Sequence, residues 1–474
     1  MVVGDVTTGT DVLIIGAGPG GYVAAIRAGQ LDLDVTLVEK DIYGGTCLNH
    51  GCIPSKALIS ATDVAYDAGQ AEHMGITADP AVDLEGMVDW KDEVVGQLTG
   101  GVERLCKANG VNLMKGRAEF TGENAVRVAH DGEGQGSETI EFEHAVIATG
   151  SRPMELPGLE FDGENVIDSR TALALDSVPA ELVVVGAGYI GMELSSVFAK
   201  LGSEVTVVEA LNGALPAYED DIARVVTDRA EEVGVDFHFG ESAREWVESG
   251  DGLTLRTENE AGDVSEFGAE RVLVAVGREP VTDTLSLDAL GLEPDREGFL
   301  ATDEYARTDL EHVFAVGDVA GEPMLAHKGM KEGEVAAEVI AGEPAALDSR
   351  AIPAAVFTDP EIGTVGLTEA EAEAEGFEPV TGEMPMRASG RALTLDETDG
   401  FVRIVADEPS GFVLGAQVVA PEASETIAEL AFAVEMGATV EDIGATIHTH
   451  PTLGESVMEA AENAREKAIH TLNR

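Results

Sequence analysis

The chain has 474 residues, of which 44% are hydrophobic and 55 are glycine, a composition typical of a globular α/β protein with about three domains. Its 89 acidic and 29 basic residues give a net charge of −60, which argues against nucleic acid or an anionic membrane as a partner. No apolar run reaches the ~18–20 residues that cross a bilayer. The N-terminus lacks the basic start and apolar core of a secretion signal, so we expect a cytoplasmic protein.

The acidic residues are spread along the chain rather than gathered in one tail, as the alternating Glu and Ala at 369–375 illustrate. At ~1 M salt the Debye length falls to about 3 Å, so the self-repulsion of such a surface is mostly screened. The composition therefore resembles that of halophilic proteins and predicts a salt-rich cytoplasm. It carries no information about the reaction.

The first predicted element is an apolar strand that runs directly into Gly-Ala-Gly-Pro-Gly-Gly at 16–21, and a second strand ends at Glu39. This is the pattern of a dinucleotide-binding βαβ unit. Gly16 permits the tight turn, Gly18 lets a pyrophosphate approach the backbone, and Gly21 allows the helix to pack on the strand. The helix N-terminus then faces the phosphates, and Glu39 can accept hydrogen bonds from a ribose.

The next segment, Gly-Gly-Thr-Cys-Leu-Asn-His-Gly-Cys-Ile-Pro-Ser-Lys at 44–56, contains two of the three cysteines, Cys47 and Cys52. An ideal helix holds Cα atoms five positions apart at roughly 8–9 Å, whereas a disulfide needs about 4.4–6.8 Å. A bridge therefore requires a bent or irregular segment, which Gly51 and Pro54 favour. Beside a nucleotide site, the pair predicts a redox-active disulfide. Two inert, buried thiols are the alternative.

Other interpretations of these cysteines have less support. A structural disulfide across so short a loop would remove little entropy from the unfolded chain. A metal would require more ligands than Cys47, Cys52 and the nearby His50, so we expect no metal site. We expect Cys106 to be a small packing residue. His50 either shifts the pKa values of the two thiols or faces solvent without a role.

The glycine pattern recurs at an offset of 170 residues, with Gly186, Gly188 and Gly191 in the three glycine positions and a later strand that ends at Glu209. Two dinucleotide sites imply electron transfer between them, and the cysteine pair beside the first indicates FAD there and a nicotinamide at the second. Glu209 suits a free 2′-hydroxyl, and no Arg or Lys occurs at 210–218 to receive a 2′-phosphate. We therefore expect NAD rather than NADP.

Three further segments each resemble a buried strand that ends in glycine, and we expect all three to return to the first domain. They are residues 145–151, 271–278 and 313–318, with the strand-ending glycines Gly150, Gly277 and Gly317. Asp318 follows at the C-terminal end of its strand, the usual place for ligands in open α/β sheets. A structural turn aspartate is the alternative there.

The region after residue 353 has no glycine fingerprint, and its strand-like runs (401–405, 413–419) alternate with helix-like runs (425–436, 455–467). The predicted fold class is α/β, with two Rossmann-like dinucleotide-binding domains and a C-terminal α+β domain. The predicted boundaries are an FAD-binding domain at 1–150, an NAD-binding domain at 151–275, a central segment at 276–349 that completes the FAD side, and the α+β domain at 350–474.

These motifs resemble those of the disulfide-linked pyridine nucleotide oxidoreductases over essentially the whole chain, as do Val-Phe-Thr-Asp-Pro-Glu-Ile-Gly at 356–363 and His-Thr-His-Pro-Thr-Leu-Gly-Glu at 448–455. The resemblance implies a flavoprotein homodimer that uses its α+β domain for dimerisation. Within the family, the chain is most similar to members that oxidise dihydrolipoyl groups in 2-oxoacid dehydrogenase complexes. Glutathione reductases usually carry Lys-Lys at positions 55–56, and mercuric reductases have a further C-terminal cysteine pair that this chain lacks.

The resemblance also implies roles for the residues of the cysteine segment. Cys47 resembles the interchange thiol that meets the dithiol substrate, and Cys52 resembles the thiol beside the flavin. Lys56 and Glu193 match residues that form an ion pair near the flavin and nicotinamide rings.

Further roles are implied near the C-terminus and after the third returning strand. Asp318, Ala326 and His327 match the flavin-contacting segment. His450 resembles the catalytic base, which the family delivers from the partner subunit, and Glu455 resembles the carboxylate that orients it. His448 lies two residues away, and only the register His-Pro-x-x-x-Glu favours His450.

The predicted reaction is the oxidation of dihydrolipoamide, or of a dihydrolipoyl group on a protein domain, with hydride transfer to NAD. Two alternatives stay open at the level of the sequence. One is a related reductase of another small disulfide, and the other is a chain that serves chiefly as a docking subunit of a 2-oxoacid dehydrogenase complex.

Overall fold

The computed structural model describes residues 7–130, 136–249 and 252–473. Its strands are β1 (Thr7–Ile15), β2 (Val35–Glu39), β3 (Asn112–Lys115), β4 (Arg117–Gly122), β5 (Ala125–Ala129), β6 (Ser137–Ile147), β7 (Ser151–Pro153), β8 (Val166–Ile167), β9 (Glu181–Val185), β10 (Glu204–Glu209), β11 (Val235–Phe239), β12 (Glu241–Ser249), β13 (Gly252–Asn259), β14 (Val264–Ala269), β15 (Arg271–Val274), β16 (Arg278–Pro280), β17 (Val313–Ala315), β18 (Ala354–Val356), β19 (Glu361–Gly366), β20 (Pro379–Pro385), β21 (Phe401–Asp407) and β22 (Val413–Ala420).

The helices are α1 (Pro19–Gln30), α2 (Gly45–His50), α3 (Cys52–Gln70), α4 (Leu84–Ala108), α5 (Ser169–Ala172), α6 (Tyr189–Lys200), α7 (Asp220–Glu232), α8 (Ala326–Ile340), α9 (Glu369–Glu375), α10 (Gly390–Leu395), α11 (Ala423–Met436), α12 (Val440–Ala445) and α13 (Glu455–Ala464). Within the described ranges, no helix combines the length and apolar character that a membrane span requires.

The first sheet has the strand order β3-β2-β1-β6-β5-β4, and β17 pairs with β6. Strands β1, β2, β3, β6 and β17 run parallel, so their carboxyl ends meet at one edge. The apolar residues of β1 alternate between two buried faces: Val12 and Ile14 face the cluster that contains α1 and α8, and Leu13 and Ile15 face the opposite cluster. The predicted strand and helix of the first fingerprint are thus confirmed, as is the return of the 313–318 strand.

Helices α1 and α8 cross at a distance that only glycine permits. A Cβ at Gly333 would lie 2.3 Å from the carbonyl oxygen of Gly20, and one at Gly20 would lie 3.0 Å from that of Gly329. This close crossing brings the N-termini of both helices to the carboxyl edge of the first sheet.

The second sheet is parallel throughout and has the order β11-β10-β9-β15-β8. The expectation that residues 271–278 return to the first domain is wrong for β15, which pairs with β9 through Val272 and Val183. A short run of Val and Leu that is buried on both faces fits the centre of either parallel sheet, so its composition does not select one. Only the residues after Gly277 leave the second sheet, as β16, which pairs with β7 in a two-stranded antiparallel ribbon.

The C-terminal region forms the antiparallel sheet β18-β19-β22-β21-β20, covered by α11 and α13, and the expected α+β arrangement is confirmed. The last helix ends at Ala464 rather than at the expected residue 467. Glu466 adopts a left-handed backbone conformation with φ of 58°, which terminates the helix. A separate three-stranded sheet, β12-β13-β14, packs beside the second sheet.

Lys200, at the end of α6, joins three parts of the fold. Its side chain is only 5% exposed, and its Nζ lies 2.7 Å from Asp63 of α3 and 2.9 Å from Asp359, between β18 and β19. Arg229 of α7 lies 3.2 Å from the same Asp359 carboxylate oxygen. Because salt screens buried pairs less than exposed ones, concentrated salt weakens this junction less than it weakens a surface ion pair.

We expect Lys200→Met to lower the free energy of unfolding by about 1–3 kcal/mol, because the Asp63 and Asp359 carboxylates lose a buried cationic partner. Equilibrium urea unfolding in molar KCl measures the change. Lys331→Met is the matched control, since Lys331 is 51% exposed and lies 3.6 Å from Glu334. Equal losses of stability in the two variants would contradict the assigned role of Lys200.

Candidate active site

A cavity of about 700 Å³ opens at the carboxyl edge of the first sheet and extends to helix α6. The N-termini of helices α1 and α8 point into the cavity, and a helix N-terminus favours negative charge. The residues that line the cavity include many that were singled out in the sequence, among them Gly16, Gly18, Glu39, Cys47, Cys52, Lys56, Gly150, Glu193, Asp318 and Ala326. The fold thus brings the first fingerprint and the cysteine pair together.

The geometry of the first fingerprint explains each glycine. Gly16 has φ of 102°, and a Cβ there would lie 2.2 Å from the carbonyl oxygen of Ala148. A Cβ at Gly21 would lie 1.9 Å from the carbonyl oxygen of Gly16, so only glycine lets α1 approach its strand. At Gly18 a Cβ would meet no atom within 4 Å, because this backbone faces the open cavity. That open approach is what a pyrophosphate requires.

The second fingerprint repeats this geometry at the start of α6. Gly186 also has φ of 102°, a Cβ at Gly191 would lie 2.0 Å from the carbonyl oxygen of Gly186, and Gly188 again faces open space. Among the described residues, the lining of the large cavity includes Tyr189 and Glu193 of this helix but none of the three glycines. The glycine turn of the second fingerprint therefore lies outside the lining of this cavity.

The two acidic residues that end β2 and β10 are held in the same way. Each carboxylate accepts two hydrogen bonds from backbone N–H groups. One donor is the residue between the first two glycines of the fingerprint, and the other is the residue two positions after the glutamate itself. The contacts are Ala17 to Glu39 at 2.7 Å, Asp41 to Glu39 at 2.7 Å, Ala187 to Glu209 at 2.8 Å and Leu211 to Glu209 at 2.8 Å. Because a carboxylate has about four acceptor positions, each retains acceptor capacity for ribose hydroxyls.

The cysteine segment is bent, as its spacing requires. Helix α2 ends at His50, Gly51 breaks the path with φ of −134° and ψ of −110°, and α3 begins at Cys52. Cys47 and Cys52 are both free cysteines, so the structure holds the pair in its dithiol form. Cys106 is fully buried in the first core, which confirms its packing role, and burial raises the pKa of its thiol to about 11.

The environments of the two thiols differ. The hydrogen bond from the Cys47 thiol, and to a smaller extent the Lys56 ammonium, lower the pKa of Cys52 to about 7 against the effect of burial. The same hydrogen bond, together with burial, raises the pKa of Cys47. In the dithiol form, Cys52 is therefore the thiolate and Cys47 donates to it.

Lys56 is itself held in place by an ion pair. Its Nζ lies 2.8 and 3.0 Å from the two carboxylate oxygens of Glu193, which is only 4% exposed. The same carboxylate accepts a hydrogen bond of 2.9 Å from the N–H of Phe357, and the Lys56 ammonium sits 4.6 Å from the centre of the Phe357 ring. The pair expected from the sequence is thus formed, between α3 and α6.

Asp318 reaches the cavity from the turn that follows β17. It accepts a hydrogen bond of 2.5 Å from the Ser151 hydroxyl, which in turn accepts one of 2.8 Å from Arg278. Ser151 and Arg278 were not among the site residues predicted from the sequence, although each directly follows a predicted strand-ending glycine, Gly150 or Gly277. Gly277 has φ of 135° at the entry to the ribbon.

His50 is not the freely solvated side chain that was one of the two expectations. Its Nε2 is buried without a hydrogen-bond partner and lies 3.9 Å from an Asp41 carboxylate oxygen. Burial lowers the pKa of His50, with a smaller contribution from Arg170, so the ring is neutral at pH 7. His50 is not among the main groups that shift the pKa of either cysteine.

His450 and Glu455 form a second cluster, away from the cavity. His450 Nδ1 lies 2.9 Å from a Glu455 oxygen, and the histidine side chain is 80% exposed. Partial burial opposes ionisation of Glu455, but hydrogen bonds from the Thr452 N–H and from His450 hold its pKa below the usual value. Both ring nitrogens of His448 are engaged, by Glu429 and by the carbonyl of Thr446. The hydrogen bonds thus distinguish the two histidines, since only His450 presents its Nε2 outward.

The residues of the large cavity fit FAD. The open approach at Gly18 and the two helix N-termini suit a diphosphate, and Glu39 suits ribose hydroxyls. Asp318 offers a further acceptor to hydroxyl groups, and Cys52 lines the same space.

Comparison with known proteins agrees with this geometry. Residues 10–333 match the family model described as pyridine nucleotide-disulphide oxidoreductase, and residues 352–461 match that family's dimerisation domain. The chain therefore belongs to the pyridine nucleotide-disulphide oxidoreductase family, whose members use FAD and NAD.

Individual relatives cover the whole length. The chain is 68% identical to the dihydrolipoyl dehydrogenase of Halobacterium salinarum, with 100% of both chains covered. It is 47% identical to that of Geobacillus stearothermophilus, also with 100% of both covered. Among solved structures it is similar to LpdA from Mycobacterium tuberculosis, with a TM-score of 0.89, 29% identity, and 96% of this chain and 99% of that chain covered.

We expect Lys56→Met to raise the pKa of Cys52 relative to the parent, because the thiolate loses the charge of the ammonium. The pH dependence of alkylation by iodoacetamide, read at Cys52 by mass spectrometry in a reduced Cys47→Ser background, measures the shift. The thiolate predominates above its pKa, so the alkylation midpoint moves to higher pH. The control is His50→Val in the same background, for which we expect the parent midpoint. A midpoint unmoved by Lys56→Met, or moved equally by His50→Val, would refute the assignment.

Proposed function

We propose that the chain is an FAD-dependent dihydrolipoyl dehydrogenase, which oxidises dihydrolipoamide or a protein-bound dihydrolipoyl group and reduces NAD⁺. The observation that carries the proposal is the position of the Cys47–Cys52 dithiol. The two cysteines line the cavity of the first glycine fingerprint. Lys56, in the same helix as Cys52, forms an ion pair with Glu193 in the helix of the second glycine fingerprint. The substrate is inferred from the relatives named dihydrolipoyl dehydrogenase.

The proposal divides the chain into four parts. Residues 1–150 bind FAD and residues 151–275 bind NAD, in keeping with the first and second parallel sheets. Residues 276–349 complete the FAD side, because β17 pairs with β6 and Asp318 follows it. Residues 350–474 form the dimerisation domain, in keeping with the matched family model.

In a homodimer, His450 of one subunit can act as the catalytic base in the cavity of the other. Among the described residues, the lining of one chain's own cavity does not include His450. His450 is oriented by Glu455 and exposed. Exposed apolar side chains occur on the same domain, including Phe432 and Met436 on one face of α11 and Ile447 just before the histidine. Such surface is typical of an interface. We therefore place His450 of one subunit at the cysteine pair of its partner.

The residues then carry out the dithiol half of the reaction in order. A substrate thiol gives its proton to His450 Nε2, and the resulting thiolate attacks Cys47 Sγ. The Cys47–Cys52 bond breaks, and Cys52 leaves as a thiolate stabilised by Lys56. The second substrate thiol then attacks the substrate sulfur of the mixed disulfide, its proton passes to the Cys47 sulfur that leaves, and the lipoyl disulfide closes. Glu455 holds the His450 ring and stabilises its charged form.

FAD, when bound, supplies the chemistry that passes the electron pair of the dithiol onward as a hydride to NAD⁺. The chain's contribution on the nicotinamide side is specificity. The Glu209 carboxylate is fixed by two N–H groups and would repel a 2′-phosphate.

The setting of the reaction is a further part of the proposal. Catalytic thiol pairs are typical of reducing compartments, which supports a cytoplasmic location. A lipoylated domain of a 2-oxoacid dehydrogenase complex is the proposed macromolecular substrate.

The direct test is NAD⁺ reduction by dihydrolipoamide in molar KCl, with NADP⁺ as the parallel acceptor. We expect rapid turnover with NAD⁺ and little with NADP⁺, because Glu209 excludes the 2′-phosphate. Equal rates would contradict the role of Glu209. If FAD-loaded protein with a reducible Cys47–Cys52 disulfide shows no turnover, the substrate is a disulfide compound other than lipoamide.

We expect His450→Gln to lower kcat for dihydrolipoamide by roughly 10²–10⁴-fold, the usual contribution of a general base, while FAD stays bound. His470→Gln is the control, because His470 makes a similar contact of 2.6 Å with Glu459 on the same domain. We expect it to retain activity. Co-refolding the inactive Cys47→Ser and His450→Gln chains should restore about a quarter of the activity if the base acts in trans. No restoration would contradict the shared site.

A further inference from the structure

We propose that Ser151 and Arg278 are positioning residues that fix the Asp318 carboxylate for a hydroxyl group of bound FAD. The proposal rests on the proposed function only in taking FAD as the occupant of the cavity. All three residues line that cavity. Arg278 Nε donates to Ser151 Oγ at 2.8 Å, and the Ser151 hydroxyl donates to Asp318 Oδ2 at 2.5 Å.

The chemistry of the three side chains fixes the direction of the two hydrogen bonds that connect Arg278, Ser151 and Asp318. A guanidinium can only donate, so Ser151 Oγ must be the acceptor from Arg278. A hydroxyl has one proton, and with its acceptor side engaged that proton is directed to Asp318. Arg278 Nη2 also donates to the backbone carbonyl of Ser151 at 2.8 Å, so the guanidinium holds its partner by two bonds. The arrangement is therefore set before any ligand arrives.

The fold explains why these residues meet. Ser151 begins β7, where the chain leaves the first sheet, and Arg278 begins β16, where it returns from the second. The two strands pair antiparallel, and Ser151 lies opposite Pro280. The ribbon that connects the two nucleotide-binding sheets thus carries the partner of Asp318. A displacement of the ribbon would release the carboxylate.

The consequence for binding concerns the second oxygen of Asp318. Oδ2 accepts the hydrogen bond from Ser151, and Oδ1 retains its acceptor capacity in the cavity. A carboxylate held by one oxygen presents the other in a single orientation, which suits a hydroxyl group of FAD.

The test is a double-mutant cycle on the rate of FAD release from the holoprotein in molar KCl, followed by flavin fluorescence after dilution. We expect Ser151→Ala and Arg278→Lys each to speed release by about tenfold, because the carboxylate loses an ordered donor. We expect the double variant to release FAD no faster than either single variant, because Arg278 acts through Ser151. Additive effects, or unchanged release in both single variants, would overturn the proposal.

Two further variants separate positioning from general destabilisation. Ser151→Thr keeps the hydroxyl, and we expect the wild-type rate of FAD release. Glu279→Gln breaks the neighbouring exposed contact with Arg152 on the same ribbon, and we expect no effect. If Ser151→Thr releases FAD as fast as Ser151→Ala, the hydroxyl does not position Asp318.

FAD release is measured without dihydrolipoamide or NAD⁺. Failure of the turnover assay would therefore leave this result standing, and failure of the cycle would leave the assignment of substrate standing.

Discussion

The ion pair between Lys56 and Glu193 joins the helix that begins with Cys52 to the helix that follows the second glycine fingerprint. A carboxylate that is 4% exposed is costly unless its charge is compensated. Here Lys56 and the N–H of Phe357 supply the compensation, and they come from two other parts of the chain. One buried carboxylate thus fixes the relative positions of the cysteine helix, the second nucleotide unit and the C-terminal sheet.

The ammonium of Lys56 has a second role that depends on this fixed position. It stabilises the thiolate of Cys52, and the hydrogen bond from Cys47 acts in the same direction. The two thiols therefore divide their tasks. Cys52 holds the charge inside the cavity, and Cys47 remains protonated beside it. This division matches a pair in which one sulfur meets the substrate and the other faces the cofactor.

The acidic surface and the buried cations are connected. Basic residues number 29 in a chain with 89 acidic ones, and several of them sit at junctions rather than on the surface. Lys200 is 5% exposed and contacts Asp63 and Asp359, and Arg403 is 14% exposed between Glu219 and Glu383. In concentrated salt, exposed pairs are screened, so buried junctions contribute more of the electrostatic stability.

Much of the fold and of the first nucleotide site could be predicted from the sequence, because both depend on local geometry. Gly16 and Gly186 need a left-handed backbone, and the bend at Gly51 follows from the spacing of two cysteines. The sheet to which β15 belongs could not be predicted, because its buried Val and Leu residues fit either sheet.

The contacts that link distant segments were equally inaccessible from the sequence. Ser151, Arg278 and Asp318 meet only through the ribbon, and their separation along the chain hides this. The register His-Pro-x-x-x-Glu selected His450 over His448 through the family resemblance alone, and the hydrogen-bond partners of the two rings supply the physical reason.

The central claim is that one chain couples a redox-active cysteine pair to a flavin, and anaerobic reductive titration tests it most directly. Stoichiometric titration of the FAD-loaded protein with dithionite should consume about four electrons per chain, because the disulfide and the flavin each accept about two. The Cys47→Ser variant should consume about two. If the wild-type protein also took up only about two electrons, the cysteine pair would not be a redox centre, and the account would be wrong.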